Sequence, residues 1–387
     1  MIVQSLINEE LFMKKNIFVV VRSLVKQGGL SKYVIDLYTR MNQENHNFNI
    51  HFVLQNSQND YGRFLYDQGI MVHYITPLQQ APLKYFRDWD SLFHIYKIDV
   101  IHFHVDNLVL FYPIKKAQKE RIPMIIVQSH NACNEAVNNS KVKMFLHNYA
   151  KKRINNWTGN LYAVSKEAAI WLYGKNLLNK VKLIKNPVDT SLFSYSQQVK
   201  EKYKNKFNLK DKIVYGHVGR FVNQKNHEFL IDVFKKILKR QPNAELVLVG
   251  NGPLQNKIKN YVYKNKISEH VLFLGRREDV PSLMSLFNCM IFPSLYEGFP
   301  LVLVEAQSTG LPIVCSDSIS SNIKILLTTH QLSLKTDKEE WANLAIESSK
   351  VTDTQRSLAR KKLIDVGYDY ETQVKKMAYV YSCKGHK

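Results

Sequence analysis

The feature of the sequence that most restricts its fold is a regular alternation between short β-rich runs and segments with helical periodicity. Residues 30–41, for example, place Val34, Leu37, Tyr38 and Met41 at the three-four spacing of one helix face. Strands that alternate with helices predict right-handed crossovers and a parallel sheet covered on both faces. The predicted strands of the first half are 17–21, 48–54, 72–75, 100–104, 124–128, 161–164 and 181–184.

The same alternation begins again in the second half, after a stretch over 194–212 that is rich in Lys, Gln, Asn and Ser, the composition of an exposed connection. A chain of 387 residues is also too long for one ordinary core. We therefore predict an α/β protein of two doubly wound, Rossmann-like domains, residues 1–193 and 194–369, that face across a cleft. A C-terminal helix over 370–387 is expected to pack back on the first domain. The predicted strands of the second half are 213–218, 244–249, 271–274, 290–292 and 313–315.

Composition excludes several classes of protein. The four cysteines are widely scattered, so neither a disulfide framework nor a zinc knuckle is predicted, and a reducing compartment is indicated. No stretch approaches 18 consecutive apolar residues, so we predict no transmembrane helix. Glu9 and Glu10 interrupt the N-terminus, which is therefore unlike a secretion signal, and residues 1–12 are expected to have no packing role.

The formal net charge of +21 is spread over both halves, with 24 − 13 = +11 in residues 1–185 and 30 − 20 = +10 in residues 186–387. A solvated basic surface accounts for such an excess, and so does attraction to anionic lipid headgroups, polyanionic substrates or nucleic acid. Aromatic residues fall mostly at core spacings rather than among the basic runs, which disfavours nucleic acid.

Two glutamates follow the strand that ends at Phe292. Glu297 lies in a loop, and Glu305 lies about one turn into a helix that starts near Pro300. Free N–H groups at such a helix start suit a phosphate, and a carboxylate there can accept both hydroxyls of a ribose. Glu297 is placed to reach a sugar. The alternatives are a helix-dipole role for Glu305 and a solvated loop charge for Glu297.

A second polar loop follows the strand that ends at residue 218. Gly219 permits close backbone approach, and Arg220 and Lys225 can jointly neutralise a diphosphate. The alternative is an ordinary pair of surface cations.

A glycine pair, Gly250 and Gly252, follows the next strand and resembles the start of a dinucleotide fingerprint. Because Gln255 stands where the third glycine belongs, NAD binding is not predicted.

Taken in this order, these residues resemble a large family of retaining glycosyltransferases that share the pattern G-R-x4-K-N, G-x-G-P and E-x7-E on the GT-B fold (family four in the usual sequence classification). Glu297 and Glu305 match its paired glutamates, and Arg220 and Lys225 match its phosphate clamp. The resemblance implies that Arg220, Lys225, Glu297 and His130 act in catalysis. It implies a donor site formed by Gly28, Gly29, Gly219, Arg220, Lys225, Asn226, Gly250, Gly252, Glu297, Gly298, Phe299, Pro300, Leu301, Val302 and Glu305.

The histidines of the first half follow two neighbouring predicted strands. His102 and His104 resemble the family's D-x-x-H-x-H strand end, and His130 matches the place of its active-site histidine. Being two apart on a strand, His102 and His104 point to the same side, and we predict them on the acceptor side, with packing at the sheet edge as the alternative. No carboxylate or cysteine completes a metal-ligand set with them, so no metal site is predicted.

The resemblance implies transfer of a hexosyl group from a nucleoside diphosphate sugar, preferably a UDP-sugar, to a glycan or lipid-linked acceptor in bacterial surface polysaccharide (exopolysaccharide) synthesis. Residues 1–193 would serve the acceptor and residues 194–369 the donor, with no metal cofactor and no nucleic acid partner. We expect a cytoplasmic protein, peripheral at an anionic inner membrane face. The alternatives are a nucleotide-sugar epimerase or sugar-phosphate glycosyl transferase of the same architecture, and a non-catalytic basic protein that binds membranes or polyanions. Residues 319–334 lack the family's usual proline-glutamate turn and glycine-containing strand, so no role is predicted for them.

Overall fold

The computed structural model describes residues 14–25, 29–44, 47–55, 61–154, 159–297 and 299–383. Residues 1–12 and the predicted donor residues Gly28 and Gly298 lie outside these ranges. The chain divides into two compact units, Met1–Asn186 with Glu371–Lys387, and Pro187–Tyr370.

The first unit is a doubly wound parallel sheet with helices between its strands. Its strands are β1 (Lys15–Val21), β2 (Phe48–Leu54), β3 (Met71–Tyr74), β4 (Val100–Val105), β5 (Met124–Ser129), β6 (Asn160–Ala163) and β7 (Lys182–Leu183). Its helices up to β7 are α1 (Gly29–Gln43), α2 (Gly62–Asp67), α3 (Pro82–Ile95), α4 (Tyr112–Lys119), α5 (Glu135–Asn138), α6 (Lys141–Ile154) and α7 (Lys166–Tyr173). Over the described ranges, the sheet has seven strands in the order β3-β2-β1-β4-β5-β6-β7.

The strand order of this sheet reverses between β1 and β4, where Val21 pairs with His104 in parallel register. Five consecutive residues of β1 and five of β4 are buried, as expected for strands covered on both faces. In doubly wound sheets, ligands bind outside the carboxyl ends of the strands at such a reversal. A ligand site in this unit is therefore expected among the residues that follow β1 and β4.

The second unit repeats the doubly wound design. Its strands are β8 (Ile213–Val218), β9 (Ala244–Val249), β10 (Val271–Gly275), β11 (Cys289–Phe292), β12 (Ile313–Ser316) and β13 (Thr329–Leu332). Its helices are α8 (Gln197–Lys206), α9 (His227–Arg240), α10 (Gln255–Lys264), α11 (Val280–Leu286), α12 (Leu301–Ser308), α13 (Lys338–Ser348), α14 (Asp353–Ser357) and α15 (Ala359–Asp365). Counting only described residues, the six parallel strands are ordered β10-β9-β8-β11-β12-β13, so the reversal lies between β8 and β11. The prediction of two Rossmann-like parallel-sheet domains is confirmed.

The division between the units falls between Asn186 and Pro187, not between residues 193 and 194. Val188 donates its backbone N–H to Tyr368 (2.9 Å), and Phe193 is buried in the core of the second unit, so this segment packs with the residues that follow it. The predicted exposed connection over 194–212 is also wrong in part, because it contains α8. This helix buries Tyr203 and pairs Lys200 with Asp353 (2.7 Å).

The last helix, α16 (Tyr370–Ser382), contributes its residues from Glu371 onward to the first unit. Tyr381 is fully buried there, and Lys15 at the start of β1 donates its Nζ to the Tyr381 and Ser382 carbonyls (2.9 and 3.0 Å). These bonds satisfy carbonyls at a helix end that has no intrahelical donors for them. Among the described residues, no helix has the length and apolar character needed to cross a membrane.

Residues 319–334 contain β13, an edge strand of the second sheet, although no strand was predicted there. Gln307, fully buried on α12, donates its Nε2 to the Ile323 carbonyl (2.9 Å) and accepts from the Ile325 and Leu326 N–H groups (3.1 and 2.9 Å). One amide side chain thus provides hydrogen-bond partners for several backbone groups of this segment. The strand β13, which follows them, pairs with β12 in parallel register.

Candidate functional site

The polar loops that follow β8 and β11 are joined by hydrogen bonds. These strands are neighbours, with Met290 paired to Gly216, so their carboxyl ends meet at one edge of the sheet. Gln224 accepts the Leu295 N–H at its carbonyl and donates its Nε2 to the Tyr296 carbonyl, both at 2.8 Å. The two motifs that the sequence places about 70 residues apart therefore form one surface.

Lys225 and Glu297 form an ion pair at the centre of this surface. Lys225 Nζ lies 2.5 Å from Glu297 Oε1 and 4.5 Å from the centre of the Phe292 ring. Only 14% of the lysine side chain and 10% of the glutamate side chain are exposed. Glu297 is therefore not a solvated loop charge, and Lys225 is not an ordinary surface cation. Arg220, on the same loop as Lys225, is exposed.

Two buried histidines that we did not predict lie behind Lys225. His217 is hydrogen-bonded through Nδ1 to the Ile291 carbonyl (2.9 Å), and His227 stacks on Phe221 with ring centroids 4.3 Å apart. Burial lowers the pKa of His227 to about 4, and burial with neighbouring His227 and Lys225 lowers the pKa of His217 well below its usual value. Both imidazoles are therefore neutral at pH 7, so they do not add cationic charge beside Lys225.

The glycine pair has a structural function that the sequence did not show. A Cβ at Gly250, whose φ is +135°, would lie 2.0 Å from the Gly219 carbonyl oxygen, and a Cβ at Gly252 would lie 2.6 Å from the Phe221 carbonyl oxygen. The loop after β9 consequently packs backbone against backbone on the loop that carries Arg220. Whether Gly250 and Gly252 also contact a donor stays a prediction.

The helix α12 begins directly after Pro300 and carries Glu305 as its fifth residue. Glu305 is 9% exposed and lies beyond the first turn, where the helix dipole acts most strongly, so a dipole role is not favoured. Phe299 stacks on Tyr368 with the two rings 4° from parallel, which fixes the start of the helix.

The other predicted donor residues that are described lie at helix starts, some in the second unit and one in the first. Leu301 and Val302, in the first turn of α12, pack partly buried against the core. Asn226 is left-handed (φ 54°) and precedes α9, a conformation that asparagine tolerates better than most residues. Gly29 is the first residue of α1 and is exposed; its donor role stays a prediction.

His130 belongs to a buried chain of hydrogen-bonded rings in the first unit. Its Nε2 lies 2.9 Å from His104 Nδ1, and His104 Nε2 lies 3.0 Å from the Tyr38 hydroxyl. That hydroxyl also contacts His102 Nδ1 (2.9 Å) and the Tyr381 hydroxyl (2.6 Å). The chain of rings therefore links the residue after β5, through β4, to the last helix.

The histidine predictions are only partly supported by this arrangement. His102 and His104 do point to the same side, with ring centroids 4.1 Å apart, but His102 is fully buried among Tyr38 and Tyr381. His102 is therefore not exposed for direct contact with an acceptor, and the placement of His102 and His104 on the acceptor side stays a prediction. The alternative of a packing role describes His102 better, although His102 packs in the interior of the sheet and not at its edge.

Burial also sets the charge of these imidazoles. It lowers the pKa of His130 to about 3 and that of His102 to about 3, and it lowers the pKa of His104 well below its usual value. At pH 7 His130 is therefore neutral and serves as a hydrogen-bonding group rather than a cation. In the part of the chain that is described, no group of three or more His, Cys, Asp or Glu side chains could hold a metal ion.

A cavity of about 570 Å³ opens beside His104, at the strand reversal of the first unit. Its polar lining includes Arg22 after β1, Asp106 after β4, and Lys143 on α6, while apolar side chains such as Leu110 and Leu146 form much of the rest. Burial raises the pKa of Asp106, and the charge of Arg22 opposes that rise. These residues were not predicted from the sequence, because nothing in their spacing marks them as a site.

The chain is similar in sequence to known glycosyltransferases. Residues 199–362 match the family model described as "Glycosyl transferases group 1". The chain is 29% identical over 373 residues to the putative glycosyltransferase EpsF of Bacillus subtilis (strain 168), covering 95% of this chain and 96% of that one. It is 27% identical over 362 residues to the UDP-Gal:alpha-D-GlcNAc-diphosphoundecaprenol alpha-1,3-galactosyltransferase of Escherichia coli, covering 85% and 90% of the two chains.

Among solved structures, the chain resembles Anabaena Alr3699/HepE in complex with UDP, with a TM-score of 0.78 at 21% identity over 95% of this chain and 99% of that chain. This likeness confirms the predicted GT-B fold. The fold, the family match and the relatives define an enzyme, a glycosyltransferase of the hexosyl-transferring type. Within the chain, the match to the group 1 glycosyltransferase model covers residues 199–362.

Proposed function

We propose that this enzyme transfers a hexose from a UDP-sugar, with retention of anomeric configuration and without a metal cofactor, to a lipid-linked or glycan acceptor in surface polysaccharide synthesis. The observation that carries the proposal is the Lys225–Glu297 ion pair on the joined loops after β8 and β11. It supports the proposal because a cation that would bind a diphosphate and a carboxylate that would contact a sugar lie side by side, at an edge where doubly wound sheets bind ligands.

The donor roles follow from the charge that develops during transfer. The sugar ring becomes positive and the departing phosphate negative, so cations held near that phosphate stabilise the transition state. Lys225, fixed by Glu297 and the Phe292 ring, and the exposed Arg220 supply those cations in the proposal. In the proposal, the Glu305 carboxylate on α12 accepts hydrogen bonds from the ribose hydroxyls, and Glu297 contacts the sugar.

The acceptor roles lie in the first unit. The cavity beside His104 joins apolar walls to Arg22 and Lys143, a combination that suits a phosphate attached to an apolar chain. His130, neutral and hydrogen-bonded to His104, orients a substrate group by hydrogen bonding. No side chain is proposed as a covalent nucleophile.

Two relatives support the substrate classes. One is named a UDP-galactose-dependent transferase that acts on a diphosphoundecaprenol-linked sugar, and HepE was crystallised with UDP and with UDP-glucose. With a lipid-linked acceptor, the enzyme would act at the inner face of the plasma membrane.

The test is turnover of a panel of UDP-hexoses by the purified protein, with lipid-linked acceptors and with chelator present. We expect UDP release that needs acceptor and survives chelation, and a product whose anomeric configuration by NMR matches the donor. Sugar interconversion without acceptor would instead indicate an epimerase.

Two variants probe the donor site directly. Lys225→Ala and Glu305→Ala should each lower kcat/KM by about 10²-fold or more. The exposed residues Lys239 and Glu347 provide matched controls, and their alanine variants should turn over like the wild type. Near-normal rates in both site variants would contradict the assignment.

A further inference from the structure

The helix α6 has an exposed apolar face that its own unit does not cover. Val142 and Phe145 are each 69% exposed, and Tyr149 is 50% exposed. Spaced three and four residues apart, they lie on one side of the helix. Large side chains exposed together on one helix face are unusual on a monomeric soluble protein, whereas single exposed apolar residues are common.

The opposite side of α6 is firmly attached, so this face is held in a fixed position. His147 is buried, with Nδ1 accepting from the Leu108 N–H (3.1 Å) and its ring stacked on Trp171 (centroids 4.6 Å apart). Lys151 Nζ donates to the Ile170 and Trp171 carbonyls, both at 2.8 Å. A rigidly held helix loses little conformational freedom when its outer face binds a partner.

The charge of α6 indicates which partner fits this face. Its sequence, KVKMFLHNYAKKRI, contains five basic residues and no acidic residue. Lys141, Lys152 and Arg153 are exposed, and Arg153 lies over the Tyr149 ring with its carbon Cζ 5.2 Å from the ring centre. Apolar and aromatic side chains bordered by lysine and arginine are typical of helices that lie in the interface of an anionic bilayer.

We infer that α6 is a membrane-docking helix, which inserts Val142, Phe145 and Tyr149 between anionic lipid headgroups while Lys141, Lys152 and Arg153 contact their phosphates. The same helix supplies Lys143 and Leu146 to the lining of the cavity beside His104. Docking through α6 would therefore bring that cavity next to the headgroup layer. The inference goes beyond the proposed function and is tested without any donor or acceptor.

The experiment measures co-sedimentation of the purified full chain with vesicles of phosphatidylcholine alone or mixed with phosphatidylglycerol. We expect binding that rises with the anionic lipid and falls with added salt. Phe145→Ser combined with Tyr149→Ser should lower the partition coefficient about tenfold or more, since two apolar side chains no longer insert. Lys141→Gln combined with Lys152→Gln should lower it roughly fivefold for each charge removed.

Control variants separate this surface from the general basic charge of the chain. Tyr263, 77% exposed on the lysine-containing helix α10, is changed to serine as the control for the aromatic variant. Lys239→Gln combined with Lys264→Gln is the control for the charge variant. We expect both controls to bind vesicles like the wild type. All variants alter exposed side chains, so unchanged melting temperatures verify that they are folded.

Three results would overturn the inference. The first is wild-type binding to phosphatidylglycerol vesicles that is no stronger than to phosphatidylcholine alone. The second is retention of full binding by both α6 variants. The third is a soluble dimer of the wild type that the Phe145→Ser/Tyr149→Ser variant loses while its vesicle binding is unchanged, which would show that this face binds a second copy.

Discussion

The ion pair between Lys225 and Glu297 allows the structural contribution of the lysine to be separated from its proposed catalytic contribution. Lys225→Met removes the charge and keeps most of the side-chain volume. It leaves the Glu297 carboxylate, 10% exposed, without its cation at 2.5 Å. Removing one partner of a buried pair costs about 3–5 kcal/mol, and the residual exposure here places the expected loss in unfolding free energy lower, at about 1–3 kcal/mol.

A second change distinguishes the two roles. In the double variant Lys225→Met/Glu297→Gln, no uncompensated charge remains, so most of the lost stability should return. Activity should not return, because the developing phosphate charge still lacks its cation, and kcat/KM should stay about 10²-fold or more below the wild type.

The assays are urea unfolding followed by circular dichroism and UDP release under saturating acceptor. A Lys225→Met variant that unfolds at lower urea but turns over normally would refute the catalytic role. A double variant that regains both stability and activity would show that the lysine serves only to neutralise Glu297.

Two further predictions concern stability. Arg356 is 2% exposed and donates to the carbonyls of Met284, Ser285, Phe287 and Thr309 (2.7–3.3 Å). Arg356→Leu should therefore lower the unfolding free energy by about 3 kcal/mol or more, whereas Arg360→Leu, a change at an exposed arginine, should lower it by less than about 0.5 kcal/mol. Equal urea midpoints for the two variants would contradict this prediction. The folded pKa of His130, about 3, lies below its usual 6.5, so below pH 6.5 the unfolded chain binds the proton first and stability falls as pH falls toward 3. At pH 5.5 this imidazole alone should cost about 1 kcal/mol, and His130→Asn should flatten the stability profile between pH 7 and 5; an unchanged slope would show that His130 is not held neutral.

The architecture could be predicted because short β-rich runs alternate regularly with segments of helical periodicity along the sequence. The predicted strand over 244–249 coincides with β9, in which Leu246 and Leu248 face one core and Val247 and Val249 the other. Such runs report burial on both faces directly.

β13 was missed for the opposite reason. Its sequence, Thr-His-Gln-Leu, has little β-rich character. The strand pairs with β12, and Gln307 on α12 bonds the backbone of residues 323–326 just before it. Tertiary contacts of this kind leave no local pattern to read.

The candidate site was predictable where a motif fixed the residues, and not where the fold assembles them. The spacing of the motifs placed Lys225 and Glu297 among the candidates, but their pairing depends on the adjacency of β8 and β11. Arg22, Asp106 and Lys143 come from three separate elements and meet only at the cavity of the first unit. Burial of His102 was likewise invisible in a pattern that gives only the side of the strand.

We propose that the joined loops after β8 and β11, together with α12, bind a nucleoside diphosphate, and a crystal structure with UDP would test this binding site. We expect the diphosphate within hydrogen-bond distance of Lys225 Nζ and the ribose hydroxyls on the Glu305 carboxylate. UDP bound elsewhere on the second unit, with the Lys225–Glu297 pair untouched, would contradict it.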